Sequence, residues 1–433
     1  MAIENSRYQH AVGQGFFHTA VLHGDDELRL SYVYDCGAME RYATERKREI
    51  RKYLQRVGAR SSLDLLFMSH VHADHLNGLE QLLDDTRGLD VDTVVLPLVN
   101  VADRLIAFAR TVAEDRASAE SRFYRDFVID PGDALERFRP RRIIYVEQGN
   151  RDDGAPDGAE RPLDPPDGPK VSGEGRGRRD PAWRLVGRGS VRPFIGPQRA
   201  GAGNSALRLV IPDTLAIMLS AAKGEWLLAP FVDPTVAAHR KQFLRELAKQ
   251  CHVSLSKIGA WLEVSDNVEK LVTTNLDQLA AAYGALVGNL NITSLCLYSG
   301  PARGSSLYLT RHHEGEFGCV SHCTGPQGPI GWLATGDAAL KEKRRRADFA
   351  IHYGELMKEV VTLTLPHHGS DGNFDIDLLG KVGPRICIAA ADRYSTWKHP
   401  GAHTVQAVCS HPALLHVVTS KAPSLVFERA RLG

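Results

Sequence analysis

Seven consecutive residues, Ser69-His70-Val71-His72-Ala73-Asp74-His75, place three imidazoles and a carboxylate in an H-x-H-x-D-H spacing. Imidazole nitrogens and carboxylate oxygens are ligands for divalent cations. Side chains this close in sequence cannot all surround one small ion in a single geometry, but two ions a few ångströms apart can share them. The competing explanation is a His-rich surface turn. With 18 His in 433 residues, that spacing arises by accident on the order of a few times per thousand such chains. Further groups of the same chemistry stand much later, in Thr335-Gly336-Asp337, Pro366-His367-His368-Gly369-Ser370 and Lys398-His399-Pro400. One carboxylate can bridge two cations, and the strand-end setting of Asp337 suits it to that task.

These residues need elements that hold them. The apolar run 63–68 predicts a buried strand, and the apolar spacing of 76–83 a helix, so the four ligands fall on a strand-to-helix turn. Trp332-Leu333-Ala334, 360–365 and 385–389 predict three more short strands, each ending in one of the polar clusters. A layered α/β enzyme gathers a site along one sheet edge in this way. Runs 16–22 and 28–34 predict an antiparallel start that ends in Asp35-Cys36-Gly37; helices are expected over 39–57, 100–117, 119–138, 234–250 and 266–286. Strands are expected over 91–98, 143–146, 207–211, 215–221, 226–228 and 291–298, and no internal repeat is visible.

The H-x-H-x-D-H stretch resembles the signature of the metallo-β-lactamase superfamily. H-H-G-S after a strand, N-x-x-S-L at Asn291 to Leu295 and the downstream H-P are together similar to the soluble hydrolase domain of ComEC-type DNA-uptake proteins, and phosphorylcholine esterases look similar too. The resemblance covers residues 12–83 and 286–420 and omits any channel, so transport does not carry over. It implies an α/β fold, the metallo-β-lactamase αβ/βα sandwich with a large insertion. Residues 1–148 would form its first half, 149–205 a flexible Gly/Pro/Arg-rich insertion, 206–285 an insertion subdomain and 286–433 its second half. It also implies that His70 and His72 bind a first metal, that Asp74, His75 and one of His367 or His368 bind a second, and that Asp337 lies between them. Asp35 would support the loop bearing the ligands. Many members supply a third His to the first metal. None is placed here, since His312, His313 and His322 lack a strand-end setting, which leaves that site open to water or substrate.

The chemistry so implied is a dinuclear, metal-dependent hydrolysis of phosphodiester bonds through a metal-bridging hydroxide, with zinc as the expected metal and manganese the other candidate. Asp74 would accept the water's proton, His399 would donate one to the leaving oxygen or hold a phosphate, and Ser370 would hydrogen-bond a phosphate oxygen. Lys341, Lys343, Arg344, Arg345 and Arg346 follow Asp337 closely, and cations beside a two-metal site favour a nucleic-acid backbone. A nuclease acting on DNA or RNA is therefore expected. Its rivals are a hydrolase of a small phosphodiester, ester or thioester, and a regulatory module with a vestigial site.

Composition sets the surroundings. Hydrophobic residues at 43% and charged residues at 24% are ordinary for a globular protein, and apolar runs stop well short of the ~18 residues of a membrane span. The start, Met1 to Tyr8, lacks a secretory pattern, and seven scattered Cys are no disulfide framework, so a cytoplasmic setting is expected. Cys319-x3-Cys323 with His322 invites a structural-zinc reading that no second pair supports. The net charge of +1 neither favours nor excludes nucleic acid. From 150 to 179 aliphatic residues are few, and burial cannot offset ordering entropy. A nuclease in the cytoplasm needs restraint, which motivates a regulatory protein partner.

Overall fold

The computed structural model describes residues 3–24, 29–58, 61–83, 88–158, 183–195, 206–221, 224–286, 293–302, 328–392 and 398–432, and the backbone of 312–314. Its strands, in chain order, are β1 (Ile3–Gln9), β2 (Phe17–His23), β3 (Arg29–Cys36), β4 (Ser62–Phe67), β5 (Asp90–Pro97), β6 (Arg142–Glu147), β7 (Arg184–Gly187), β8 (Arg192–Pro193) and β9 (Leu207–Pro212). The series continues with β10 (Leu215–Ala221), β11 (Gly224–Asp233), β12 (Ser294–Pro301), β13 (His312–Glu314), β14 (Gly331–Ala334), β15 (Val360–Thr364), β16 (Ile386–Ala390), β17 (Leu414–Val418) and β18 (Val426–Leu432).

Two sheets result. One runs β13-β18-β1-β2-β3-β4-β5-β6-β9-β8, the other β17-β16-β15-β14-β12-β11-β10-β7. Their facing sides share an apolar layer in which Tyr32, Tyr34, Leu65, Phe67 and Val95 meet Trp226, Leu228, Leu297 and Trp332. The other face of the first sheet packs under helices including Ala43–Val57 and Val101–Glu114, and that of the second under Lys343–Tyr353, Asp377–Val382 and Ala402–Ser410. The layer order is therefore helix, sheet, sheet, helix, the αβ/βα sandwich that the sequence led us to expect. Strand β4 shows why its sequence reads as a continuous apolar run. It is flanked by parallel neighbours and covered on both faces, so Leu63, Leu65, Leu66 and Phe67 are all buried.

Several elements differ from expectation for local reasons. The helix expected over 119–138 breaks into Arg122–Ile129 and Pro131–Glu136, because Pro131 holds Asp130 extended at φ −147° and Asp130 then caps the second piece by accepting from Asp133 N. The stretch expected over 266–286 likewise divides into Ser265–Thr273 and Leu276–Gly284. Residues 206–285 were expected as one inserted subdomain, yet β9 completes the first sheet and β10 and β11 the second. Helices Ala237–Gln250 and Leu276–Gly284 then pack on Val101–Glu114, and Arg240 fixes that contact by donating to both oxygens of Asp103, at 2.7 and 2.6 Å. Within 149–205, β7 pairs with β10 and buries the apolar side chains of Leu185 and Val186, and β8 pairs with β9; residues 159–182 and 196–205 lie outside the described residues. Cys319, His322 and Cys323 also lie outside them.

Candidate metal centre

The C-terminal ends of β4, β14 and β15 converge where the two sheets meet. Ser69 O accepts from Leu295 N at 2.6 Å, and Ser294 Oγ accepts from Asp337 N at 3.0 Å, so β12 ties the His-rich turn to the T-G-D turn. His367 N donates to Gly336 O at 2.8 Å and brings the H-H turn to the same place. These anchors explain the N-x-x-S-L pattern from Ser294 onward; Asn291 is outside the described residues.

The result is one buried cluster. Among the described residues, three groups of donor atoms have members within 4.8 Å of one another: His70, His72 and Asp74; Asp74, His75 and His368; and His70, His75 and Asp337. Their side chains are at most 5% exposed. Asp337 faces His70 Nε2 at 3.4 Å through one oxygen and His75 Nε2 at 3.8 Å through the other, so it lies between imidazoles of the different groups.

Hydrogen bonding fixes which ring nitrogen carries each proton. Asp35 accepts from Ser69 N and Ser69 Oγ, both at 2.6 Å, and from His75 Nδ1 at 2.7 Å. The Ser69 hydroxyl proton is thereby committed, so Ser69 Oγ accepts from His70 Nδ1 at 2.8 Å. His368 Nδ1 donates to Ala390 O at 2.8 Å, and His72 Nδ1 donates to Asp74 Oδ1. Each of the four rings therefore presents an Nε2 lone pair. The Nε2 of His368 faces Asp74 Oδ2 at 3.2 Å, a contact of two acceptors that needs a cation or a proton between them. His70, His72 and His75 Nε2 and Asp337 Oδ1 are buried with no hydrogen-bond partner among the described residues. Orphaned buried acceptors are costly unless a ligand satisfies them, so the donor set fits divalent metal ions.

Charge agrees with this. Burial pushes both carboxyls up, but His72 and His75 around Asp74, and His367 and His70 around Asp337, outweigh it and hold both well below the usual carboxylate range. Both are ionised at neutral pH and ready to meet a cation.

The structure also separates His367 from His368. Asn373 Nδ2 donates to Asp337 O at 3.0 Å and Ala338 O at 3.3 Å, which leaves its Oδ1 to accept from His367 Nδ1 at 3.0 Å. His367 Nε2 then accepts from Arg110 Nη2 at 2.8 Å. Both residues take left-handed backbone, φ 49° and 57°, conformations costly for side chains with a Cβ and found where a site over-determines them. That pair of turns sends the two rings in different directions.

Other expected site residues fare differently. Ser370 Oγ accepts from Gly372 N at 3.1 Å and so serves the turn itself. The His399 ring lies 5.5 Å from that of His367, close to the cluster. Burial, with neighbouring His368 adding to it, pushes its pKa down to about 4, so at neutral pH His399 is an uncharged hydrogen-bonding group rather than a proton donor to a leaving oxygen. Arg345 pairs with Asp233 at 2.7 Å, and buried Arg346 donates to Leu340 O, Lys341 O and Asp377. These two of the five basic residues are therefore spent on structure, while Lys341, Lys343 and Arg344 are exposed.

Gly37 in the D-x-G turn has a steric reason to be glycine. A Cβ there would lie 2.5 Å from the Asp74 carbonyl carbon and 2.6 Å from that of His75. Gly37→Ala is expected to push the ligand turn away, costing about 2 kcal/mol of stability and weakening metal binding; thermal unfolding and bound-metal analysis measure the two effects.

No protein family matches the chain, and no curated protein does. Among solved structures, the crystal structure of a long form RNase Z from yeast aligns over 84% of this chain and 32% of its own length, at 8% identity and a TM-score of 0.26. The chain thus spans about a third of that protein. Among the described residues no helix is long and apolar enough to cross a membrane, and Cys36, Cys251, Cys296, Cys387 and Cys409 are free thiols.

Proposed function

We propose that this chain is a metal-dependent hydrolase that cleaves phosphodiester bonds, with DNA or RNA as its substrate. The observation that carries this reading is the set of four Nε2 lone pairs in one buried cluster with the ionised carboxylates of Asp74 and Asp337. When bound, two divalent ions supply an acidified water and neutralise charge on phosphoryl oxygens. Zinc suits the His-rich donors, and manganese the carboxylate oxygens. His70 and His72 would hold the first ion, Asp74, His75 and His368 the second, and Asp337 would reach both.

The remaining residues bind, orient or move protons. Asp74 Oδ1 is taken by His72, so Oδ2, which faces His368 Nε2 at 3.2 Å, is the oxygen left to meet the ion or to accept a proton. Asp35 orients His75 directly and His70 through Ser69. His399 can hold a phosphate oxygen by its N–H, and Ser370 by its hydroxyl.

The nucleic-acid substrate is supported by the exposed Lys341, Lys343 and Arg344 beside the T-G-D turn and by the ComEC-type resemblance of the sequence. A cytoplasmic setting and a restraining protein partner belong to the same proposal, supported by the free thiols and the hazard of an unrestrained nuclease. Lys343→Ala/Arg344→Ala is expected to lower the salt slope of single-strand binding by about 1.4, from ~0.7 per lost phosphate contact, as read by fluorescence anisotropy across a salt series.

The deciding experiment offers labelled single-stranded DNA, duplex DNA, RNA, a small phosphodiester and a thioester to purified protein with zinc or manganese. Cleavage of a polymer supports the nuclease and names its substrate. Turnover of the small ester alone would move the assignment to an esterase, and turnover of nothing by a metal-loaded protein would favour a regulatory module.

A further inference from the structure

We propose that Arg110 holds His367 off the metal cluster, leaving the His70/His72 position without a third imidazole ligand and far weaker for metal than the Asp74/His75/His368 position. Arg110 comes from the Val101–Glu114 helix and is buried, 4% exposed. Its Nε donates to Glu114 at 3.0 Å, and its Nη1 lies 3.9 Å from Asp337 Oδ2. Its Nη2 donates to His367 Nε2 at 2.8 Å, and His367 Nε2 is itself 3.5 Å from Asp337 Oδ2.

The argument is one of counting lone pairs. A neutral imidazole has one, and Asn373 fixes the His367 proton on Nδ1, so the lone pair at Nε2 is the one Arg110 occupies. A guanidinium has no lone pair to offer a metal and stays charged at any physiological pH. His367 thus stands within reach of the carboxylate between the two positions but cannot ligate while Arg110 is in place. The fixed positive charge near Asp337 also opposes a second dication there more than at the Asp74 side. The two positions are therefore unequal by construction. The more open one keeps coordination sites for water or a phosphate oxygen.

This rests on the metal-centre reading, and its test separates the two. Full-length metal-stripped protein is titrated with Zn²⁺ against a chromophoric chelator, and with Co²⁺ followed by visible absorption. In the wild type, two steps are expected, separated by about 100-fold in affinity. Arg110→Gln is expected to tighten the weaker step by at least about tenfold as His367 is released to ligate. Arg110→Gln/His367→Ala is expected to keep only the smaller part of that gain that comes from removing the Arg110 charge, and His367→Ala alone to leave the wild-type steps unchanged.

Two equal steps in the wild type, a weakened step in His367→Ala, or a gain that survives undiminished in the double variant would each overturn the proposal. The wild-type and His367→Ala arms stand even where Arg110→Gln fails to fold. A wild type that binds neither ion would sink the metal-centre reading itself.

Discussion

Asp74→Ala/His75→Ala is expected to abolish phosphodiester cleavage, by about 10³-fold or more, equivalent to about 4 kcal/mol of barrier, and to remove the tightly bound ion. Asp74 belongs to two of the three donor groups and His75 to two, and together they supply both of the donors grouped with His368. Once both are gone, His368 retains only its link to Ala390, and His72 loses the acceptor at its Nδ1. No other carboxylate in the donor groups except Asp337 remains to neutralise a cation. The fold is expected to survive at a cost of about 2 kcal/mol, because His72 Nδ1 and Asp35 each lose one partner while the Nε2 of His75, which no hydrogen bond satisfies among the described residues, is removed as well. Bound-metal analysis, circular dichroism and the cleavage assay check the three statements. A variant that kept its metal and its activity would refute the assignment of this cluster.

Asp35→Ala has the second largest expected effect, and it acts through stability as well as through metal. Asp35 is fully buried, and its carboxylate accepts from Ser69 N, Ser69 Oγ and His75 Nδ1. Losing it strands three buried donors, which at ~1–3 kcal/mol each puts the expected cost at about 3 kcal/mol or more. It also frees the His70 and His75 rings to turn, and the loss of such supporting carboxylates lowers metal affinity ~10–100-fold. Asp35→Asn separates the two effects. Asparagine accepts the left-handed backbone that Asp35 holds at φ 57° and keeps one acceptor, so most of the stability is expected to return while metal affinity stays low. Thermal unfolding without metal, set beside a metal titration of each variant, reads the two separately. An Asp35→Asn protein with wild-type metal affinity would show that the charge of Asp35 does not matter.

How much of this was legible beforehand follows from how local each feature is. The ligand turn after β4, the Asp35 turn after β3 and Asp337 after β14 were readable because each is a short run whose position on a strand end follows from its own neighbours. The choice between His367 and His368 was not, since it depends on two successive left-handed residues and on Asn373, which no pattern in the sequence marks. Arg110 was invisible for a different reason. It sits in an amphipathic helix among ordinary neighbours, and only the packing of that helix carries it to His367.

The basic run after Asp337 misled in part because a charge run shows its own residues and not their partners. Asp233 lies far upstream of Arg345, and Asp377 downstream of Arg346, so neither ion pair has a local signal. Strands β9 to β11 were legible as strands, but their membership in the two main sheets was not, because strand order is a property of tertiary pairing.

The donor groups join residues 70–75 to residues 337 and 368, which most of the chain separates. An ion held there is also a staple between the first and second sheets. At a thousandfold excess over its dissociation constant, such a ligand would add about 4 kcal/mol to the folded state, so metal supply would bear on the protein's lifetime as well as on the proposed chemistry. During synthesis the H-x-H-x-D-H turn leaves the ribosome long before Asp337 and His368 do. A half-made chain therefore lacks Asp337 and His368 of the donor groups, so an activity that needs them would begin only once the second half has docked.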